Sequence, residues 1–140
     1  MDVTNEVMPT SRERVGEMME PGPDGPIYMV NLLKFKEHAE YEDGRATDLS
    51  GRDAYQLYGS EVSKLVGDYG GEVNFVADVT FLALGQVEEL WDEVAIAMYP
   101  NRAALFEMSS SPEWQAIAVH RAAGLAGQLN IETVASPFQP

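Results

Sequence analysis

The first candidate for chemistry is an arginine on the apolar side of a predicted helix that runs from Ser111 to about Gly127. At about 100° per residue, one stripe of this helix is formed by Trp114, Ile117, Ala118, Ala122 and Leu125. Arg121 falls in the middle of the stripe. Because a guanidinium stays protonated, it is costly to bury unless it is paired or reaches water. Two roles stay open. The structural role is an ion pair with Asp78 or another carboxylate, or snorkelling at the helix end. The functional role is a clamp for a substrate carboxylate or enolate.

His120 is the candidate general base, because imidazole titrates near neutral pH. It lies about a quarter turn from Arg121, at the border of the apolar stripe, so a partly exposed surface or interface histidine is the alternative. His38 and Glu40 form only a weak metal-ligand pair. With two histidines and no cysteine, the sequence predicts no cofactor and supports neither a zinc nor a haem site; a carboxylate-only magnesium or calcium site stays open.

Asn31 is the sole uncharged polar residue in the otherwise apolar segment Ile27–Phe35, and a buried amide needs hydrogen-bond partners. It either joins strand to helix or to a partner chain, or it binds a ligand. Lys34 lies on the opposite phase and is read as a solvated strand end.

Aromatic residues are the other candidate ligand contacts. Tyr55 and Tyr58 fall on one predicted helix, whereas Trp91 and Tyr99 bound a predicted strand. They form either a core or an aromatic pocket, with Tyr58 and Trp114 as its apolar wall. An acidic cluster is instead read as a solvated turn; its members are Glu88, Glu89, Asp92 and Glu93.

The elements that must position these residues follow from periodicity and from turn residues. The predicted order is a short helix within Thr10–Glu20, a central strand Ile27–Phe35, an exposed charged loop over residues 36–49, a helix that starts at Ser50 and closes at Gly70, an edge strand Val73–Ala83, a central strand Trp91–Tyr99, a helix Arg102–Met108, the helix from Ser111, and an edge strand Gln128–Val134.

This βαββαβ order predicts an α+β, ferredoxin-like fold with a four-stranded antiparallel sheet in the order 4-1-3-2. The two central strands are apolar on both faces, but helices cover only one face. We therefore expect a homodimer in which the open sheet faces pack together. The expected divisions are an N-terminal helix and linker (residues 1–22), the ferredoxin-like domain (residues 23–135) and a tail (residues 136–140).

Composition narrows the classes of function. The 140 residues, 15.4 kDa and 45% hydrophobic, suit one domain, and a formal charge of -14 disfavours nucleic acid and anionic membranes as partners. With no cysteine, no apolar run near the roughly 20 residues that span a bilayer and no targeting signal in residues 1–10, a cytoplasmic location is expected. Nucleotide-binding and hydrolase motifs such as GxGxxG and GxSxG do not occur.

Three segments, Ile27–Phe35, Tyr99–Met108 and Ser111–Leu125, resemble the domain of unknown function 1330 family, and the resemblance covers about Pro23–Val134. That family is similar to the dimeric α/β-barrel superfamily, which includes cofactor-free antibiotic-biosynthesis monooxygenases, EthD-like proteins, muconolactone isomerases and haem-bearing chlorite dismutases. The resemblance implies a fold, a dimer and a pocket between sheet and helices, but no activity. The N-terminal helix and the insertion over residues 36–49 depart from shorter members.

We therefore expect a homodimer that binds a small anionic or aromatic ligand, with Arg121 as anion clamp, His120 as base and Asn31 as hydrogen-bond donor. As an enzyme it would be a cofactor-independent oxygenase or isomerase acting on a small organic acid or enolizable aromatic compound. The alternative is a non-catalytic binding or structural dimer in which Arg121 is internally paired.

Overall fold

The computed structural model describes residues 11–138, which form four helices and four strands. In chain order these are α1 (Arg12–Met18), β1 (Ile27–Phe35), α2 (Gly51–Asp68), β2 (Glu72–Asp78), β3 (Glu93–Tyr99), α3 (Arg102–Ser109), α4 (Pro112–Gly124) and β4 (Leu125–Thr133). Within these residues no helix combines the length and apolar character needed to cross a bilayer.

The four strands form one antiparallel sheet in the order β2-β3-β1-β4, which confirms the predicted ferredoxin-like topology. The two strands that were apolar on both phases, β1 and β3, are the central pair. Inward-facing residues of β1 are buried beneath the helices, among them Ile27 and Leu33, which are fully buried. The intervening residues, such as Val30 and Leu32, are half-buried and point to the opposite face of the sheet.

Side-chain caps define where three helices begin, as the sequence indicated. The hydroxyl of Ser50 accepts a 3.0 Å hydrogen bond from the Asp53 amide, and Ser111 and Asn101 cap α4 and α3 in the same way. A cap satisfies an amide that the first turn of a helix leaves unpaired.

The predicted ends of α4 and β2 were wrong. Helix α4 ends at Gly124 rather than near Gly127, because the Gly124 carbonyl accepts a 2.8 Å hydrogen bond from the Lys36 amide and the chain enters β4 at once. Strand β2 ends at Asp78 rather than Ala83, and a bulge between Val73 and Phe75 interrupts its alternation. A bulge adds one residue to one strand and shifts the phase of the side chains that follow.

The segment over residues 36–49, predicted to be an exposed loop, is in fact packed against the helices. Ala39 and Tyr41 are 2% and 9% exposed and join Ala54 and Ala123 in a small core cluster. The Glu40 amide donates a 3.0 Å hydrogen bond to the Ala123 carbonyl, which ties the segment to the end of α4. Periodicity did not reveal this packing, because only two apolar side chains of a charged segment are buried.

Candidate functional site

A cavity of about 1280 Å³ lies between the sheet and the helices. Its walls come from inward-facing residues of β1, β3 and β4 and from α2, α3 and α4, while side chains of α1 border one side. All six predicted ligand-binding residues line it: Asn31, Tyr55, Tyr58, Tyr99, Trp114 and Arg121. Residues from four separate elements therefore meet at one space.

A hydrogen-bonded chain of polar side chains crosses one wall of the cavity. Arg121 donates from Nη2 to Oε1 of Gln128, and Nε2 of Gln128 donates a 2.7 Å bond to Oδ1 of Asn31. The Asn31 amide donates in turn to the carbonyl oxygens of Ala95 and Met29, both at 3.2 Å. Gln128 thus helps to orient the arginine, and the backbone of two strands orients the asparagine.

Gln128 was missed by sequence reasoning, although it is only 8% exposed. The sequence predicts an edge strand over Gln128–Val134 but assigns Gln128 no role. Gln128 pairs with the buried Leu33 of β1 and so faces the helices, whereas Leu129 pairs with Leu32 on the opposite face. A signal was present in the sequence. If the apolar residues of β4 face away from the helices, the alternating polar residues of the same strand must face the cavity.

Aromatic side chains of α2, α4 and β3 form another part of the cavity lining. The indole Nε1 of Trp114 donates a 3.0 Å hydrogen bond to the Tyr58 hydroxyl, and the ring centroids of Tyr55 and Tyr58 are 5.4 Å apart. Burial raises the pKa of the Tyr55, Tyr58 and Tyr99 hydroxyls. These three phenols therefore stay protonated at neutral pH, and their O–H groups are available to donate to a ligand.

Glu93 also lines the cavity, and the prediction that it belongs to a solvated turn was wrong. It is the first residue of β3, is 9% exposed, and lies directly across from Asp78 of β2. Nη1 of Arg52 is 2.8 Å from Oδ1 of Asp78 and 3.4 Å from Oε2 of Glu93. Burial raises the pKa of Glu93, the Arg52 charge opposes this, and the neighbouring Asp78 adds to it.

Asp92 and Glu89, two other members of the acidic cluster near the start of β3, have different surroundings. Asp92 accepts a 2.8 Å hydrogen bond from the Phe35 amide and contacts the Lys34 ammonium, so it is structural rather than part of a loose turn. Glu89 is more than half exposed and lies 3.5 Å from Lys34. Lys34 is therefore an ion-paired strand end rather than a simply solvated one.

His120 is not brought to the cavity. Its Nδ1 lies 2.7 Å from the Tyr41 hydroxyl, and the two rings meet edge to face at 5.5 Å between centroids. The ring thus faces the packed segment over residues 36–49, and His120 is not among the residues that line the cavity. Among residues 11–138 no group of three or more His, Cys, Asp or Glu side chains is arranged to hold a metal ion.

The N-terminal helix is attached beside the cavity by one arginine. Arg102 forms a two-point ion pair with Glu132, at 2.8 and 2.7 Å, and its Nη1 donates a 3.1 Å hydrogen bond to the Glu17 carbonyl. No residue of α1 is itself buried. This polar attachment therefore helps to hold α1 beside the cavity.

The fold and much of the sequence resemble solved structures. The RPA0582 protein of Rhodopseudomonas palustris, described as being of unknown function, is 29% identical with a TM-score of 0.82, covering 98% of this chain and 100% of that one. Methylated RPA0582 aligns at 31% identity and a TM-score of 0.83, over 99% and 98% of the two chains. An uncharacterised NIPSNAP domain protein from Burkholderia xenovorans, 14% identical over 82% of this chain and 98% of that chain, shares the fold with a TM-score of 0.52.

No protein-family model matches the sequence, and no curated protein matches it. The resemblance to the domain of unknown function 1330 family therefore stays a prediction.

Proposed function

The chain belongs to the same family as RPA0582, whose function is unknown. From the cavity, we propose that this protein binds a small organic anion with aromatic or enolizable character. Anionic character is favoured by Arg121, and aromatic character by the wall of Tyr55, Tyr58 and Trp114.

The observation that carries this proposal is the convergence of Arg121 and Asn31, through Gln128, on the wall of a cavity rather than inside a closed core. The charge of Arg121 borders a space large enough for a small molecule. The chain of amides orients the arginine, so a bound carboxylate would meet a positioned charge.

The chemistry compatible with this arrangement is stabilisation of an enolate. Arg121 supplies positive charge where an oxyanion would develop, and the protonated phenols supply further hydrogen bonds. The reaction classes are cofactor-independent isomerisation or oxygenation. Binding without catalysis is the alternative, and it would use the same residues.

The proposal also includes a homodimer formed through the sheet face opposite the helices. Apolar side chains on that face, among them Val30, Leu32, Val94 and Ile96, are only half-buried in one chain. Ile96→Glu would place a charge at its centre and should yield monomers by light scattering, while Val119→Glu on exposed α4 should not. An unchanged mass for Ile96→Glu would contradict the dimer through this face.

Binding is tested by calorimetry with phenylacetate and phenylpyruvate as anions and benzyl alcohol as the neutral counterpart. Arg121→Leu should weaken anion binding about tenfold or more, equivalent to about 1.4 kcal/mol. The matched control is Arg12→Leu, because Arg12 is exposed and does not line the cavity. Failure of both anions to bind the wild type, or equal binding by Arg121→Leu, would overturn the proposal.

A further inference from the structure

We propose that Glu93 is the proton-transfer residue of this cavity and that its substrate is a 2-oxo acid with an aromatic substituent. The inference rests on the proposed function and adds to it a base, a bond that is broken and a substrate class. It replaces His120, which faces Tyr41 instead of the cavity.

The sheet register places Glu93 opposite the anion-binding wall. Leu33 of β1 pairs with Glu93 of β3 on one side and with Gln128 of β4 on the other. The three residues form one row across the sheet, and residues in one row share a face. Neighbouring strands are about 4.8 Å apart, so the Glu93 and Gln128 backbones lie about 10 Å apart across the row. Both Glu93 and Gln128 line the cavity, so that separation suits a small molecule with one end toward each residue.

The charged groups around Glu93 come from the two elements packed against it. Arg52 of α2 contacts both Glu93 and Asp78, and Asp78 of β2 lies across the strand pair. Tyr55 of α2 also lies close enough for the Glu93 charge to raise its pKa. Arg52 is itself held over the Phe35 ring, at 4.8 Å from the ring centroid. Glu93 is therefore a buried carboxylate that shares one cation, Arg52, with a second carboxylate, Asp78. A carboxylate in such surroundings is suited to exchange a proton with a ligand.

The proposed step balances without a co-reactant. The Glu93 carboxylate takes a proton from the carbon next to the carbonyl, and the C–H electron pair forms the C=C bond of an enolate. The negative charge moves to the carbonyl oxygen, which lies beside the substrate carboxylate at the Arg121 end. The protonated Glu93 then returns the proton to that oxygen or to the carbon. Return to oxygen gives a keto–enol shift. If the Glu93 proton first exchanges with a solvent proton, return to carbon replaces the carbon-bound hydrogen with one from solvent.

The test uses phenylpyruvate in D₂O and follows loss of the C3 hydrogen signal by NMR, corrected for exchange without protein. Wild type should accelerate exchange, and Glu93→Gln should lose about 100-fold or more of that acceleration while binding phenylpyruvate within about threefold of wild type. Glu88→Gln is the matched control, because Glu88 is exposed near the same hairpin and does not line the cavity. Urea midpoints confirm that each variant folds.

A pH profile separates a proton-transfer role from a structural one. Exchange by wild type should rise with pH as Glu93 ionises, and Asp78→Asn should move the midpoint of this rise to lower pH, because the like charge that raises the pKa of Glu93 is removed. Arg52 remains beside Glu93 in that variant.

The outcomes distinguish the two proposals. If phenylpyruvate binds and wild type and Glu93→Gln exchange at rates within about threefold, or neither accelerates exchange, the assignment of Glu93 is wrong and the anion-binding proposal stands. If wild type binds neither phenylpyruvate nor phenylacetate, the anion-binding proposal fails and the substrate assigned here fails with it.

Discussion

The indole of Trp114 donates its hydrogen bond to the hydroxyl of Tyr58, 3.0 Å away and 56 residues earlier in the chain. The bond joins α4 to α2 at the aromatic wall of the cavity. The Tyr58 side chain is buried, so its hydroxyl would otherwise lack water as a partner. This contact makes the shape of the cavity depend on how the two helices pack.

The Trp114–Tyr58 bond should contribute measurable coupling to stability. In a double-mutant cycle of Trp114→Phe and Tyr58→Phe, we expect a coupling free energy of about 0.5–1.5 kcal/mol, because each single change leaves the other group unsatisfied. Urea unfolding with constant m-values measures it. Strictly additive effects would show that the bond does not stabilise the fold.

Gln128 should stabilise the protein despite being polar. Gln128→Leu removes the amide that accepts from Arg121 and donates to Asn31, so we expect a loss of about 1–3 kcal/mol in the free energy of unfolding. Gln115→Leu makes the same chemical change on the exposed side of α4 and should stay within about 0.5 kcal/mol of wild type. Equal effects in the two variants would contradict the role of the polar chain.

The close contact of α2 with α4 requires two glycines. A Cβ on Gly124 would collide with the Gly51 carbonyl oxygen and lie 2.9 Å from the Tyr55 nitrogen, and these are backbone atoms that cannot rotate away. Gly124→Ala should therefore destabilise the fold by about 1–3 kcal/mol. Gly59→Ala, in the middle of α2 with nothing within 4 Å of the added carbon, should instead stabilise it by about 0.5–1 kcal/mol. Thermal and urea unfolding of both variants test the contrast.

The Arg102–Glu132 ion pair should make stability depend on acid pH. The Arg102 guanidinium lowers the pKa of Glu132. A carboxyl whose pKa is lower in the folded state stabilises it above the unfolded-state pKa, about 4.3 for glutamate, and this contribution is lost as pH falls through the lower folded-state value. Glu132→Gln should therefore be less stable than wild type at pH 7, by at most about 1 kcal/mol because the pair is partly exposed.

The difference between wild type and Glu132→Gln should close as the pH falls below 4. Glu107→Gln, which alters an exposed carboxylate on α3, serves as the control and should show no comparable closing. A difference that stays constant from pH 7 to pH 3 would exclude the ion pair as its source.

The fold was readable from the sequence because its determinants are local. Ser50 and Ser111 cap helices by binding amides within one turn of themselves. The apolar runs of β1 and β3 identify them as central strands without knowledge of which strands they pair with. Arg121 and Asn31 could be singled out for a related reason. Each is a polar residue that interrupts an apolar pattern, so its own segment shows that it needs a partner.

Gln128 and Glu93 could not be found in this way, because both occur among polar residues and look solvated in their own segments. Their burial depends on which stripe of β4 turns toward the helices and on where β3 begins relative to β1. The row through Leu33 that brings them to one cavity is a property of strand register, which joins residues 35 positions apart.

By itself the sequence determined the order of the elements, the central strands and two polar residues that required an explanation, because periodicity and capping act over a few residues. Tertiary structure alone decided that Arg121 meets Gln128, that Glu93 shares Arg52 with Asp78, and that His120 turns to Tyr41. The Arg121 contact depends on how the chain passes from α4 into β4, and the other two depend on distances between segments far apart in the chain. Such distances are set by packing, bulges and strand register, which no local pattern encodes.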